Sequence, residues 1–503
     1  MMLDIDHLRR SAKRLRKSAR AADQKAIYRI EKHIPQKSLE LLQHADYLHV
    51  IARENDYGSW PELKLACETQ GMDRSQKQDR LGQALFLGQA WVVKRLLAET
   101  PDLAQGNFGL SCAMFDLETV RAMLEREPAL AVSTFGDRSP ILYLAFSRYL
   151  ELVPDLEKDM IAIAEILLAN GADPNDSFPF EPGGKDMLSA LYGAIGHSNN
   201  MVLGAWLLAQ GADPNDGESL YHSTELGHHR GLEMLLDAGA NPAGTNALLR
   251  AIDFDDATAV GLLLAAGADP NEGVGPDGTV TTIPALHQAA RRNAGRDVTR
   301  ALISHGARAD LRYRGHSAYA MARFQGNNAM AQELERVGYT TGLDHNEYVL
   351  AAALDGQAAG RLDDNISYEI RCILERQLRT DASLETLKRL VEVGVDPDWT
   401  DEMDLPAIHV AGWEGRADVV AWLLSFDPDL NQKNGFGGDL LGTILHGAEN
   451  CDHRAERDHP SCIELVLNAG ALVRQAEIDG TGLEHVSNML SEWVEIHPDR
   501  LVR

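Results

Sequence analysis

Bulky rings are scarce in this chain. Aromatics make up 6% of its residues against 44% hydrophobic residues in all, so alanine and leucine must do most of the packing that rings do in a large single-core enzyme. Cysteines are few and odd in number. Cys67, Cys112, Cys372, Cys451 and Cys462 are too sparse for a disulfide framework, and reduced thiols in the cytoplasm are expected. No run approaches the roughly 18 apolar residues of a membrane span, and no apolar segment follows the basic N-terminus, so neither an anchor nor a secretory signal is expected. Positive charge is short as well, with 48 Lys and Arg against 75 Asp and Glu and a formal net charge of −27. A field of that sign repels phosphate backbones and anionic lipid, which argues against nucleic acid as the main partner. At 503 residues the chain exceeds the size at which one core stops growing, so it must divide into domains or extend as a repeat array.

One phrase returns along the chain: a leucine pair followed by Gly-Ala-Asp-Pro-Asn. It reads LLANGADPN from Leu167 to Asn175, LLAQGADPN from Leu207 to Asn215, LLDAGANP from Leu235 to Pro242 and LLAAGADPN from Leu263 to Asn271. Weaker copies are LISHGARAD from Leu302, LVEVGVDPD from Leu390, LLSFDPDLN from Leu423 and LVLNAGALV from Leu465. Gly211, Gly239 and Gly267 are 28 residues apart, while Gly171 to Gly211 is 40 and Gly267 to Gly306 is 39. The leucines close an amphipathic helix, the glycine supplies the left-handed residue that ends it, and proline forbids its continuation. Each unit therefore reads as helix, turn, helix, loop, and must stack on neighbours to bury its face.

These residues resemble the ankyrin family, whose repeat of about 33 residues carries Thr-Pro-Leu-His-x-Ala at the start of its first helix. That phrase stands here as PALHQAA at Pro284, PAIHVAG at Pro406 and TILHGA at Thr443, and tyrosine takes the histidine slot at Tyr143, Tyr192 and Tyr221. The resemblance runs over about ten units from Asp79 to Val473. It implies an all-α ankyrin-repeat solenoid of helix-turn-helix-loop units with an N-terminal helical domain. It also implies that His287, His409 and His446 hydrogen-bond backbone between neighbouring repeats rather than perform chemistry. Three segments are expected: an N-terminal helical module over 1–75, a first stack of repeats over 79–338, and a second stack with a C-terminal cap over 339–503.

The N-terminal module opens with an apolar stripe, Leu8, Ala12, Leu15 and Ala19, flanked by arginines and lysines, which predicts a helix docked on its own acidic body. A second helix is expected over 38–54, followed by YGSWPELK at Tyr57. This arrangement resembles the N-terminal module of a group of bacterial ankyrin proteins that carry a Ser-Trp-Pro phrase.

Chemistry-bearing patterns are few. Cys451, His453, His459 and Cys462 lie in an insertion over 446–462 and are zinc-type ligands, but their spacing is not that of a zinc knuckle. An ordinary surface insertion with no metal is the expectation, and no cofactor is expected elsewhere. The glycine-rich pieces near Gly183 and Gly435 do not complete a phosphate-binding loop. What remains is the surface of loop tips and first helices. Phe178, Phe180, Trp399, Trp413 and Phe436, with Arg291 and Arg292, are candidate contacts there, because exposed aromatics and arginines are the usual anchors of an interface. The function these features point to is a protein-binding scaffold or inhibitor without chemistry. Two alternatives stand beside it. One is a hydrolase or metal-dependent enzyme, with its site in the 446–462 insertion or between the N-terminal helices and the first repeats. The other is an acidic decoy for a DNA-binding protein.

Overall fold

The computed structural model describes residues 4–35, 42, 44–275, 279–357, 360–481 and 483–502. The chain is mostly helical, with 58% of residues in helices and 4% in strands. The strands are two or three residues long and pair only two by two, Ser177–Pro179 with Met187–Ser189 and Arg312–Tyr313 with His316–Ser317 antiparallel, and Val473–Arg474 with Leu501–Val502 parallel. The chain divides into two compact units, one made of residues 68–311 and the other of residues 1–67 together with 312–503.

In the 68–311 unit, short helices come in pairs that pack in chain order. First helices pack on first helices, as Phe108–Ala113 does on Pro140–Ala145 and Ala247–Asp253 on Ala285–Arg291. Second helices pack likewise, as Ala257–Ala265 does on Arg296–Ser304. The recurring phrase accounts for the joints at Gly171, Gly211, Gly239 and Gly267. Gly171, Gly211, Gly239 and Gly267 all have φ between +91° and +97°, a region open to glycine and costly for side chains with a Cβ. This left-handed turn lets the next alanine N–H reach back to the helix, from Ala172 to the Leu167 carbonyl and from Ala268 to that of Leu263, each at 3.0 Å, closing otherwise orphaned carbonyls. The aspartate then accepts from the backbone N–H two residues on, as Asp269 Oδ1 does from Asn271 at 2.8 Å.

The asparagine ends the phrase by clipping one unit to the next. Asn175 Nδ2 donates to the Gly211 carbonyl at 3.1 Å while its Oδ1 accepts from the Asp213 N–H at 2.7 Å. Asn271 does the same with the Gly306 carbonyl and the Arg308 N–H, at 2.9 and 2.8 Å. Its side chain thus satisfies one acceptor and one donor of the following turn, the same two in both copies.

The other unit begins with helices Ile5–Arg20, Gln24–His33, His44–Glu54 and Trp60–Thr69. Leu8, Ala12, Leu15 and Ala19 are buried together with Ala26, Ile30, Tyr47, Val50 and Ile51, so the apolar stripe faces a core made by the neighbouring helices. Helix Gln24–His33 was not foreseen. Of the helix expected over 38–54, the described part begins at His44, and residues 38–41 and 43 lie outside the described residues. The Ser-Trp-Pro phrase is a helix start: Ser59 Oγ accepts from the Glu62 N–H, and Glu62 accepts from the Gly58 N–H at 3.1 Å, a reciprocal capping arrangement. Trp60 packs against the core. Helix pairs resume with Ala318–Gln325 and Asn328–Arg336 and continue to Leu440–Asn450 and His459–Asn468. Helix His44–Glu54 packs on Glu484–Ile496, which joins the two ends of the chain within this unit.

Candidate functional site

A cavity of about 480 Å³ opens between helices Ala407–Trp413 and Leu440–Asn450, lined among others by His409, Trp413, Phe436, Thr443, His446 and Arg379. Helical spacing builds it. His409 and Trp413 stand four residues apart, and Thr443 and His446 three, so each pair projects from one face of its helix. The rings of Trp413 and His446 stack with centroids 5.2 Å apart and planes 29° apart. The two helices come this close because position 447 is glycine, where a Cβ would collide with the Trp413 backbone.

The polar end of the cavity is organised by Asn434. Its Oδ1 accepts from the backbone N–H groups of Phe436 and Gly438, at 3.0 and 3.2 Å, which turns its amide nitrogen toward Thr443 Oγ1 at 3.0 Å and His409 Nδ1 at 3.2 Å. An amide nitrogen donates, so Nδ1 of His409 accepts and the ring proton sits on Nε2. That Nε2 is buried and finds no acceptor among the described residues. Burial pushes His409 down to about 4, against a smaller opposing pull from Asp439, so the ring is neutral near pH 7. The same turn holds Phe436 out at the rim, where it is 78% exposed. Arg379 is exposed beside the cavity, and its charge also acts on Glu375.

The proposed anchors separate into distinct environments. Phe178 is not an exposed anchor: it is buried, with its ring edge-on to Phe146 at 5.1 Å and the Arg138 guanidinium 5.7 Å away. It sits on the short strand Ser177–Pro179, whereas Phe180 lies beyond that strand, where its N–H donates to the Asp186 carbonyl at 2.9 Å and its ring is 67% exposed. Trp399 is half-buried beneath the Arg371 guanidinium, 4.7 Å from its ring centre. Arg292 is engaged by Asp253 at 2.9 Å, and Arg291 is half-buried. Only Trp413 and Phe436 among the seven share a described cavity.

Two of the three histidines differ from expectation, while His287 is buried. His409 is held by the side chains of Asn434 and Thr443 rather than by backbone, and His446 is exposed and stacked on Trp413. Tyr143, which takes the histidine slot, does bond backbone, donating to the Phe135 carbonyl at 3.0 Å.

The structure does not assemble the Cys/His insertion as a ligand set. The only group of three or more ligand-type side chains with atoms mutually within 4.8 Å among the described residues is His316, Asp344 and Glu347. Cys451 faces Glu414 Oε2 at 3.6 Å, His459 Nε2 donates to the Trp413 carbonyl at 2.9 Å, and Cys462 is in the core, where burial pushes its thiol up to about 12. His453 is exposed. Helix His459–Asn468 explains the dispersal: it turns Cys462 inward and spends His459 on joining two helices.

No known family model matches the chain, and no curated protein matches it. Among solved structures, the human ASB11 ankyrin repeat domain is 19% identical to it and covers 50% of this chain and 98% of its own, at a TM-score of 0.23. That superposition is too loose to carry an argument about fold or function.

Proposed function

We propose that the chain is an ankyrin-repeat solenoid that binds a protein partner by taking one of its apolar or aromatic side chains into the cavity between Trp413, His446 and Phe436. The recurring phrase and the chain-order packing of helix pairs support the architecture. The observation that carries the site is the cavity itself: two stacked rings form a wall, a third ring stands exposed at the rim, and a buried N–H donor lacks an acceptor. Such a pocket suits an amphipathic group, apolar in body with one acceptor atom. Arg379 beside it favours an acidic flank on the partner, a local exception in a chain of net charge −27. A cytoplasmic, bacterial setting belongs to the same proposal, in keeping with five cysteines that are all unpaired.

The test is capture of partners by the intact chain, followed by titration with the identified partner. Trp413→Ala and Phe436→Ala should each weaken the complex by about 2 kcal/mol, roughly 30-fold. Phe436→Ala should leave the melting temperature unchanged. Phe178→Ala should do the reverse, lowering melting without weakening the complex. Equal affinity for wild type, Trp413→Ala and Phe436→Ala rules out this cavity as the binding site.

A further inference from the structure

A second arrangement, outside the binding cavity, has the form of a nucleophile with its base. His316 is buried at 4% exposure and Glu347 at 1%, and Glu347 Oε1 lies 2.7 Å from His316 Nδ1. On the other side of the ring, His316 Nε2 lies 2.6 Å from Ser367 Oγ. A carboxylate can only accept, so Nδ1 carries the ring proton, Nε2 is the acceptor, and the serine hydroxyl donates to it. The three residues come from separate parts of the chain: His316 precedes helix Ala318–Gln325, Glu347 lies in the first turn of His345–Leu354, and Ser367 caps Tyr368–Arg371. Ser367 is partly exposed, while His316 and Glu347 are buried.

A cap does not need this relay. Ser367 Oγ accepts from the Ile370 N–H at 3.3 Å, and serine alone does that at most helix starts. Fixing a loop does not need it either, because apolar contacts hold loops without the desolvation cost of a buried ionisable pair. What the relay adds is a hydroxyl whose proton has an oriented acceptor, the arrangement that activates serine toward acyl and phosphonyl centres.

We propose that Ser367 is a nucleophilic serine, with His316 as its general base and Glu347 as the positioning residue that sets the tautomer, and that it takes acyl groups from activated carboxylic esters. In that step Ser367 Oγ bonds to the carbonyl carbon, the carbon–oxygen bond to the leaving alcohol breaks, and the serine proton passes through His316 Nε2 to the departing oxygen. Positioned base catalysis of this kind contributes on the order of 10²–10⁴-fold.

The test treats the intact chain with a fluorophosphonate. Ser367 Oγ should bond to phosphorus and expel fluoride, with its proton taken by His316, and peptide mapping should place the adduct on Ser367. Ser367→Ala should remove the adduct. Glu347→Gln keeps the size of the side chain and an oxygen for the Asp344 N–H, and should slow labelling about 100-fold with melting close to wild type. Labelling of Ser367 no faster than of the other serines overturns the proposal, as does equal labelling in a folded Glu347→Gln. One equivalent of zinc bound by wild type, lost in Asp344→Asn and blocking the label, also overturns it and makes the cluster a metal site.

Discussion

His409 and Glu375 respond to pH with opposite signs, and the difference follows from which of their forms is charged. Burial pushes His409 down to about 4, so between about 4 and its ordinary 6.5 the unfolded chain binds the extra proton. Stability is then lost as pH falls through that window. Glu375 is pushed up to about 8, first by burial and then by the nearby Asp401. Here the folded chain holds the extra proton, so stability is full below about 4.5 and is lost as pH rises through 8. Glu375→Gln should therefore stabilise the chain at pH 9, on the order of 1–3 kcal/mol, and change nothing at pH 4. Urea denaturation at both values reads this directly, and an equal effect at the two pH values would mean that Glu375 is charged when folded. Neither shift was legible in the sequence. Glu375 stands in the segment CILERQL, whose residues do not decide whether the glutamate faces solvent or core, and only the fold buries it.

Among the elements, the recurring turn carries the clearest energetic claim. Leu263 and Leu264 close helix Ala257–Ala265 and are both buried, so cutting both to alanine should remove on the order of 2–5 kcal/mol for each. Asn271 holds no core. It makes two hydrogen bonds to the next turn, and Asn271→Ala should cost about 1–2 kcal/mol. Thermal melts separate these values, and an Asn271→Ala chain as stable as wild type would show that water replaces the clip without loss. The helix and its stop were readable, since leucines, glycine and proline act through local backbone preference. The asparagine's role was not, because its partners lie 35 and 37 residues ahead. The same limit explains Phe178 and Phe180: the strand Ser177–Pro179 pairs with Met187–Ser189 and ends before Phe180, and the insertion 177–189 carries no pattern long enough to announce it.

For the whole molecule, the division into units makes a prediction about which pieces fold. Residues 68–311 form one unit from a continuous segment and should give a helical, cooperatively melting protein when expressed alone. Residues 312–503 share their unit with 1–67, so expressed alone they lack the partner of helix Glu484–Ile496 and should melt lower than when 1–67 is supplied in trans. Circular dichroism melts of the pieces, separately and mixed, check both statements. Identical melts of 312–503 with and without 1–67 would mean that the N-terminal helices are an independent module, as the boundaries 1–75, 79–338 and 339–503 imply.

What the sequence by itself determined is local and periodic. It specified the helix stripes, the left-handed glycine stops, the proline breaks and the absence of a long apolar helix, because each depends on residues a few positions apart; among the described residues no helix is long and apolar enough to cross a membrane. It also picked out Trp413 and Phe436 as ring residues outside the repeat's needs. Tertiary structure alone decided that these two share a cavity with His409, that Cys451, His453, His459 and Cys462 do not meet, and that His316, Glu347 and Ser367 do. Those outcomes depend on contacts across 23, 31 and 51 residues, set by how helix pairs stack, and no short-range preference encodes them.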